Sequence, residues 1–583
     1  MIKKGYMSIP LITQKIRRIF ENGNTLPVLQ HFSGRADNES APPWHPQWDR
    51  LIEREANLWQ RALAASKNGT RVLIANSVPA FPNSIMLESL LGAALTLRDA
   101  QVHTLICDGA LPACLNLKYS PARGPESVRD GSWKTHKSSC ARCKAGTPVF
   151  TKLGLPVHYY SQLLPPQDEM ELLTDLADRL PLAEISQYHR DGLAIGEHAH
   201  AGCLRYFASG NLEREPDSEI VLRRYFLAAL LTARVMENLL DRYKYDVAVF
   251  HHGIYVPQGV VGEVCRARGV RVVTWNPAYR KRCFIFSHDD TYHHTLINEP
   301  VEAWKNIRFG VKQEEEIDEY LRSRWSGSQD WIWFHDTMDA RDETLVKETG
   351  LDLSKPVIGL LTNVMWDAQL HYRANAFPNM LDWLTKTILY FKKRPELQLL
   401  IRIHPAELRG LVPSRQMVQD EIHRQFPQLP SNVFIIPPDS NVNTYTAMLK
   451  CNAVIIYGTK TGVELTSMGI PVVVAGEAWI RNKGLTIDAV SEQDYFQILD
   501  GLPLVDSRLP AAQIREARKY AYHFFLRRMI PLESIEPIED KIPYRVKVDS
   551  LAALRPGVDK GMDVICEGVL QGTPFIYPYE ETQ

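Results

Sequence analysis

The chain has no excess of charge of either sign. Its 583 residues include 67 Lys+Arg and 68 Asp+Glu, which gives a formal net charge of −1. A nucleic-acid-binding protein needs a basic surplus to contact phosphates, so this balance argues against nucleic acid as a partner. The hydrophobic fraction of 45% and the charged fraction of 23% are ordinary values. The composition therefore predicts a soluble globular protein that does not bind nucleic acid.

Long apolar runs are also missing. A membrane-spanning helix needs about 20 mostly apolar residues, but the most apolar helical stretch, 226–231, is flanked by arginines. The N-terminal segment has lysines without an apolar stretch long enough for an export signal, so we expect a cytoplasmic protein. Residues 9–20 favour either a helix docked on the first domain or a short basic amphipathic helix on a membrane surface. The second interpretation would place the protein at the periphery of the inner membrane.

Cysteine is sparse, with nine residues in the chain, and a cytosolic location predicts that most of them are reduced thiols. Four lie close together in the sequence, Cys107, Cys114, Cys140 and Cys143, and the last two form a C-x-x-C pair. Four thiolates suit a tetrahedral zinc ion, although six residues separate the first pair rather than the usual two to four. A structural zinc site, unligated thiols and a redox pair all stay open.

Short apolar runs alternate with helical patterns twice along the chain, which predicts two doubly wound, Rossmann-like α/β domains. Ligands of such sheets bind outside the carboxyl ends of the strands, where this sequence has its polar residues, so we expect a cleft between the domains. The predicted segments are a helical extension over 1–65, a first Rossmann-like domain with the cysteine-bearing insertion over 66–300, a helical linker over 301–350, a second Rossmann-like domain over 351–510, and a C-terminal helix and tail over 511–583.

The segment 457–464, YGTKTGVE, predicts a phosphate-binding loop. An apolar strand precedes it and a helix starts at about Thr461, where free N–H groups and the helix dipole favour an anion. The hydroxyls of Thr459 and Thr461 and the ammonium group of Lys460 add donors. Glu464 lies one turn inside the helix, where a carboxylate can accept both hydroxyls of a ribose. An ordinary capped helix is the alternative.

The segment 402–407, RIHPAE, ends another buried strand. Arg402 and His404 share a face by strand alternation, and Pro405 ends the strand and fixes the direction of the imidazole. His404 can therefore donate to a phosphate oxygen or stabilise a leaving group.

These two segments resemble a known family. VELTSMGIPVVV is similar to the donor-site helix of GT-B glycosyltransferases, and RIHPAE is similar to the His-Pro motif of bacterial sialyltransferases and capsule polysaccharide transferases. The resemblance to the capsule polysaccharide biosynthesis family covers roughly residues 350–500. It implies a metal-independent GT-B enzyme in which His404 meets the donor phosphate and Glu464 the ribose. It also places Asn363 and Trp366, which end a strand, near the donor phosphates and sugar, with Arg402, Thr459, Lys460 and Thr461 completing the donor site.

The first domain should then hold the acceptor. His251 and His252 lie at a strand's carboxyl end beside a Gly/Pro loop, and either is a candidate general base for an acceptor hydroxyl. A second polar group includes Tyr279 and Arg280 together with a histidine-rich stretch. The members of that stretch that suit a metal ion are His288, Asp289, His293 and His294. A solvated loop is the other interpretation of this stretch.

The sequence thus predicts a glycosyltransferase that moves a sugar from a nucleotide-activated donor to a growing glycan or glycolipid in bacterial capsule or surface polysaccharide biosynthesis. It needs no cofactor for catalysis, and its expected partners are the donor, the acceptor and the inner-membrane polysaccharide machinery. Three alternatives stay open: a polyol-phosphate transferase, a nucleotide-sugar epimerase of the same fold, and a non-catalytic glycan-binding subunit.

Overall fold

Short apolar segments form a first sheet of seven strands. The computed structural model describes residues 46–119, 137–331, 338–410, 412–538 and 541–579. The sheet has the order β13-β6-β5-β4-β1-β2-β3, in which β1 to β5 are parallel, β6 is antiparallel to β5 and β13 is antiparallel to β6. Its strands are β1 (Arg71–Ile74), β2 (Gln101–Ile106), β3 (Val157–Tyr159), β4 (Val247–His251), β5 (Arg271–Pro277), β6 (Cys283–His288) and β13 (Ile530–Pro531).

A second sheet of six parallel strands follows in the chain. Its order is β12-β11-β10-β7-β8-β9. Its strands are β7 (Val357–Leu361), β8 (Gln398–Arg402), β9 (Val433–Ile436), β10 (Ala453–Ile456), β11 (Val472–Val474) and β12 (Ile487–Asp488). Strands β14 (Ile535–Ile538) and β15 (Lys541–Val546) form a separate antiparallel pair.

Helices cover both faces of both sheets. Successive residues of a buried strand point to opposite faces, so each strand contributes side chains to the apolar clusters on both sides. In β1, Leu73 packs in one apolar cluster and Val72 with Ile74 in another. In β7, Ile358 likewise packs in one apolar cluster and Leu361 in another. Near-continuous apolar strands are typical of parallel sheets covered on both sides, which confirms the prediction of two doubly wound domains with a GT-B arrangement.

The helices that surround the first sheet lie in the first half of the chain and at its C-terminal end. They are Trp48–Arg54, Ala56–Ala65, Pro82–Thr96, Lys137–Gly146, Pro148–Thr151, Gln167–Arg179, Leu182–Ile185, Ile195–Phe207, Ser218–Arg242, Gln258–Ala267, Tyr292–Asn298 and Lys560–Gln571. The others are Glu302–Lys305, Val311–Ser323, Asp342–Thr349, Met380–Lys392, Ala406–Arg409, Val418–Gln425, Thr444–Leu449, Thr461–Ser467, Glu492–Asp500 and Ala511–Tyr522.

The N-terminal extension is described from residue 46, where two helices reach to Ala65. The amphipathic segment predicted over 9–20 lies outside the described residues. The described residues all belong to one compact unit, Trp44–Gln583. Among them, we find no helix that combines the length and the apolar composition needed to cross a bilayer.

Two strands of the first sheet differ from the sequence-based expectation. Strand β6, which we did not predict, leads into the histidine-rich stretch and runs antiparallel beside β5. Strand β13, about 240 residues further on, pairs with its outer edge, where Ile530 lies opposite Phe284. The C-terminal segment therefore returns to the first sheet and completes it.

Candidate functional site

The first sheet reverses its strand order beside β1. The chain runs from β1 through β2 to β3 on one side, and from β4 through β5 to β6 on the other. The carboxyl ends of β1 and β4 therefore flank a topological switch point, the place where ligands bind in open α/β sheets. His251 ends β4 and His252 follows it. The predicted acceptor-side histidines thus lie at the switch point.

The second sheet has the same plan, with its switch point between β7 and β10. Asn363 follows β7 closely, and the segment Gly458 to Thr461 follows β10. The two segments are joined by a hydrogen bond from the Gly458 N–H to Asn363 Oδ1 at 3.2 Å. The structure thus brings together two segments that are about 95 residues apart and that we predicted separately.

The loops after β4 and β7 meet. The Tyr255 hydroxyl donates to Asp367 Oδ1 at 2.8 Å and accepts from the Ala368 N–H at 2.9 Å. Tyr255 comes from the first sheet's loop and the other two residues from the second's. The carboxyl ends of the two sheets therefore border one cleft, and the candidate functional site is the set of side chains on its two sides.

The geometry of His404 suits the donation predicted for it. Its backbone N–H donates to Thr362 Oγ1 at 3.1 Å, and its Nδ1 accepts the Ala406 N–H at 3.0 Å. A ring nitrogen that accepts carries no hydrogen, so Nε2 is the protonated nitrogen of a neutral ring. The imidazole can therefore donate through Nε2 to an anionic oxygen.

The loop after β10 is arranged around its hydroxyls and one ammonium group. Thr459 Oγ1 accepts the Thr461 N–H at 3.3 Å and donates to Thr461 Oγ1 at 3.2 Å. Lys460 Nζ lies 2.6 Å from Glu464 Oε1 and 4.7 Å from the centre of the Tyr279 ring. Burial lowers the pKa of Lys460, as does the nearby Arg324, while Glu464 opposes both. Tyr279 follows β5, so this contact too joins the two halves.

Glu464 is completely buried and has charged partners within the chain. Arg324 Nε lies 2.7 Å from its Oε1, and the Tyr445 hydroxyl donates to its Oε2. Burial alone would raise the pKa of Glu464, but the charges of Arg324 and Lys460 and the hydrogen bonds from Lys460 and Tyr445 lower it. Both carboxylate oxygens are engaged and the side chain is not exposed, so a ribose could reach Glu464 only after these neighbours rearrange. The geometry favours a positioning role for Glu464.

Arg402 and Trp366, both predicted at the donor site, are hydrogen-bonded to neighbouring loops. The Arg402 guanidinium is buried and donates to Thr444 Oγ1 at 3.2 Å and to the carbonyls of Pro437 and Ser440. The alternation of side chains along the strand predicted the face on which Arg402 lies, but not the loop that covers this face. The Trp366 indole N–H donates to Ser414 Oγ at 3.1 Å, and its ring packs with Leu204.

The histidines of the first switch point are neutral. Burial lowers the pKa of His251 to about 3, against a hydrogen bond between its Nε2 and Asn276 Oδ1 at 3.1 Å. Burial also lowers the pKa of His252 far below its ordinary value, and His251 and His293 lower it further. Among the described residues, His252 Nδ1 has no hydrogen-bond partner. Burial thus keeps the imidazole neutral but also makes it a weaker base than an exposed histidine.

A carboxyl group that we did not predict lies under this switch point. Glu88 is completely buried and accepts from Ser84 Oγ and Trp275 Nε1, both at 2.9 Å, and from the Asn76 side chain. Burial raises its pKa to about 7 despite these donors. Its position inside an apolar helical pattern gave no signal of function.

The histidine-rich stretch does not assemble a ligand set. His288 Nε2 lies 2.8 Å from the Thr573 carbonyl, His293 contacts the Trp479 ring, and His294 pairs with Asp290 at 3.0 Å. Within the described residues, no three His, Cys, Asp or Glu side chains are arranged to hold a metal ion. The structure therefore does not bring together the ligands of the alternative metal site on this stretch. The Arg280 guanidinium, from the same predicted polar group, donates to the Phe525 carbonyl at 3.1 Å.

The four clustered cysteines lie close together, although their sulfur atoms are not arranged to coordinate a metal ion. Cys107, Cys114, Cys140 and Cys143 line one small cavity, and all are free thiols. Burial raises the pKa of Cys107 to about 11 and that of Cys143 to about 12.

Comparison with known proteins confirms the family resemblance. Residues 346–506, which contain β7 to β12, match the family described as capsule polysaccharide biosynthesis protein. No curated protein sequence matches the chain significantly.

Similar solved structures include a beta-Kdo 2,4 transferase, KpsC from Thermosulfurimonas dismutans, with 10% identity, a TM-score of 0.31, and coverage of 47% of this chain and 79% of that chain. The spinosyn rhamnosyltransferase SpnG has 12% identity, a TM-score of 0.23, and coverage of 78% and 95%. An epimerase from Listeria monocytogenes, named as a putative UDP-N-acetylglucosamine 2-epimerase, has 10% identity, a TM-score of 0.24, and coverage of 78% and 94%. Likenesses at this level carry no activity or substrate over to this chain.

Proposed function

We propose that the chain is a glycosyltransferase of capsule or surface polysaccharide biosynthesis. It would transfer a sugar from a nucleotide-activated donor to a growing glycan or glycolipid. The observation that supports this most is the meeting of two switch points at one cleft, with phosphate-type donors after β7, β8 and β10 and neutral imidazoles after β4. The family match over the second sheet agrees with a donor site there.

On the donor side, the leaving diphosphate would lie between Asn363, His404 and the Thr459 hydroxyl. Charge develops on the leaving phosphate as the glycosidic bond to it breaks, and donors already in place stabilise that charge without reorganising. His404 would donate through Nε2, since its Nδ1 accepts from the backbone. Lys460 would supply positive charge from the same loop. We propose that these hydrogen-bond donors, rather than a metal ion, stabilise the leaving phosphates.

On the acceptor side, a hydroxyl would approach the anomeric carbon from the loop after β4. His252 is the candidate base, because it follows the carboxyl end of β4 and its Nδ1 has no hydrogen-bond partner among the described residues. Transfer with inversion of configuration needs such a base, whereas transfer with retention does not. We further propose that the protein works in the cytoplasm beside the inner-membrane polysaccharide machinery, where its acceptor would be made.

The proposal is tested by incubating the purified chain with CMP-, CDP-, UDP-, GDP- and ADP-activated sugars, each with and without a capsule-type glycan acceptor. We expect one nucleotide class to be released together with a glycan heavier by one sugar residue. A polyol phosphate added to the glycan, or an isomerised donor without acceptor, would replace this function by one of the enzymatic alternatives. If no nucleotide sugar is turned over and no nucleotide raises the thermal stability, the protein would be a non-catalytic subunit.

A further inference from the structure

Four cysteines from three places in the first domain line one cavity. Cys107 directly follows β2, Cys114 lies seven residues further along the loop, and Cys140 and Cys143 lie on the helix Lys137–Gly146. Residues three apart on a helix share a face, so both thiols of the C-x-x-C pair can face the cavity together. Its volume is about 20 Å³, enough for one ion or one water molecule.

The chemistry of the lining is dominated by sulfur. Of the described residues around the cavity, the other members carry no carboxylate and no imidazole; they are Ser77, Gly109, Leu111, Asn116 and Leu117. A site with this lining offers soft ligands and would select a thiophilic cation rather than magnesium or calcium.

The backbone around the cavity also suits bound thiolates. The N–H groups of Gly109, Ala110 and Leu111 follow Cys107 within four residues of the loop. Such donors share the negative charge of a metal-bound thiolate and hold it in place. Gly109 has a φ of +96°, and a Cβ atom there would lie 3.6 Å from Cys140 Sγ. The loop after β2 therefore approaches the helical pair closely in a conformation that favours glycine.

We propose that Cys107, Cys114, Cys140 and Cys143 bind one zinc ion as a structural site. The first two cysteines are widely spaced in the sequence because they belong to different elements: Cys107 is held at the end of β2, and Cys114 is held in the loop that follows. Within the described residues, the four sulfur atoms are not arranged as metal ligands. They must therefore turn towards the cavity when the ion enters. Binding releases the four thiol protons to solvent and leaves a complex with a net charge of about −2.

Such a site would brace the acceptor-side loop of the cleft. The Leu115 N–H, next to Cys114, donates to the Val256 carbonyl at 2.8 Å. Cys143 packs in one apolar cluster with Ile254 and Tyr255. The ion would thus hold in place the segment that carries His252 and the Tyr255 contact, without touching substrate.

The test is the metal content of the full chain, expressed in medium with zinc and purified without chelator or added metal. We expect about one zinc per chain, released when a mercurial modifies the thiols. The double variant Cys140→Ser/Cys143→Ser should lose the metal and unfold at lower temperature. The double variant Cys203→Ser/Cys265→Ser is the matched control, because both residues are buried in the same domain outside the cavity; it should keep the metal.

Should the cluster variant fail to fold, cobalt replaces it as the readout. The wild-type chain, stripped of metal and loaded with Co²⁺, should show the charge-transfer and ligand-field absorption of a tetrahedral thiolate site. Less than about 0.2 metal equivalents in the wild type overturns the proposal. The same holds if metal is absent and two of the four thiols form a disulfide, which would identify a redox pair. Metal content is measured without any transfer assay. The zinc proposal can therefore fail while the proposed activity is correct, and the reverse.

Discussion

The Tyr255 hydroxyl lies 2.8 Å from Asp367 Oδ1 and accepts the neighbouring Ala368 N–H, so a single phenol joins the loop after β4 to the loop after β7. Tyr255 is 2% exposed, and in this surrounding both hydrogen bonds are shielded from water. The contact lies between the two switch points. It is therefore one of the contacts that hold the donor and acceptor sides of the cleft together.

Tyr255→Phe should loosen this contact. Removing the hydroxyl leaves the Ala368 N–H and one Asp367 oxygen without their partner, which should lower the free energy of unfolding by about 1–3 kcal/mol. We also expect a larger radius of gyration by solution scattering and a raised KM for the acceptor, because closure orders the cleft. Unchanged scattering and KM would show that the phenol does not control closure.

Tyr390→Phe is the matched control for this variant. Tyr390 also donates to a carboxylate, Asp500 Oδ1, at 2.7 Å, but both residues belong to the second domain and lie away from the cleft. This variant should leave the radius of gyration and the KM of the acceptor unchanged.

Glu464→Gln distinguishes a positioning role from ribose binding. The neutral amide would leave the buried Lys460 without its carboxylate and Arg324 with Asp330 alone, and breaking a buried ion pair costs about 3–5 kcal/mol. Equilibrium unfolding in urea without ligand should show this loss. If the unliganded variant is as stable as the wild type and only nucleotide affinity falls, Glu464 is a ribose ligand, as its sequence position first indicated.

Glu492→Gln provides the comparison for that experiment. Glu492 pairs with Lys386 at 2.8 Å on the surface of the same domain. Exposed ion pairs contribute about 0–1 kcal/mol, so this variant should stay close to the wild type in urea.

The strands and the switch-point residues could be predicted because their signals are local. Parallel strands buried on both faces are short continuous apolar runs, and polar residues that follow such runs must lie at the sheet's carboxyl edge. His251, His404 and Thr459 were found in this way, whereas Asn363 was placed at the site by the family resemblance. The antiparallel strand β6 lacked such a signal, because its neighbour β13 comes from a segment about 240 residues away.

The partners of the site residues were not predictable, because pairing between distant segments leaves no local pattern. Arg324 lies 140 residues before Glu464, in a polar region that we interpreted as a linker, yet it neutralises that carboxylate. Arg402 illustrates the same limit, since alternation gives the face of a strand residue but not the loop above it. The sequence therefore indicated where the cleft lies better than which side chains line it.

Glu407→Gln should change how stability depends on pH. The carboxyl group is completely buried, and burial raises its pKa to about 8 although both oxygens accept from the Val418 N–H. In the unfolded chain the pKa is the ordinary value of about 4.5, so between these values the folded state holds a proton that the unfolded state releases. Stability from this group is thus complete below pH 4.5 and is lost as the pH rises towards 8.

Urea unfolding at several pH values measures this effect. Between pH 5 and 8 the wild type should lose roughly 3 kcal/mol more stability than Glu407→Gln, whose amide cannot ionise. Taking the difference between the two proteins removes the contribution of Glu88, which titrates in the same window in both. Parallel curves would mean that Glu407 is ionised in the folded protein.

His404 offers a test that separates its two ring nitrogens. Asparagine places its side-chain oxygen near the position of Nδ1 and can keep the acceptor for the Ala406 N–H, whereas glutamine places an N–H donor near the position of Nε2. If the proposed donation to the leaving phosphate is correct, removing it should lower kcat by about 10²-fold or more. His404→Ala and His404→Asn should then both show this loss, and His404→Gln should keep much of the wild-type rate. Higher turnover in His404→Asn than in His404→Gln would assign the histidine to the Nδ1 hydrogen bond, and therefore to loop structure rather than to phosphate stabilisation.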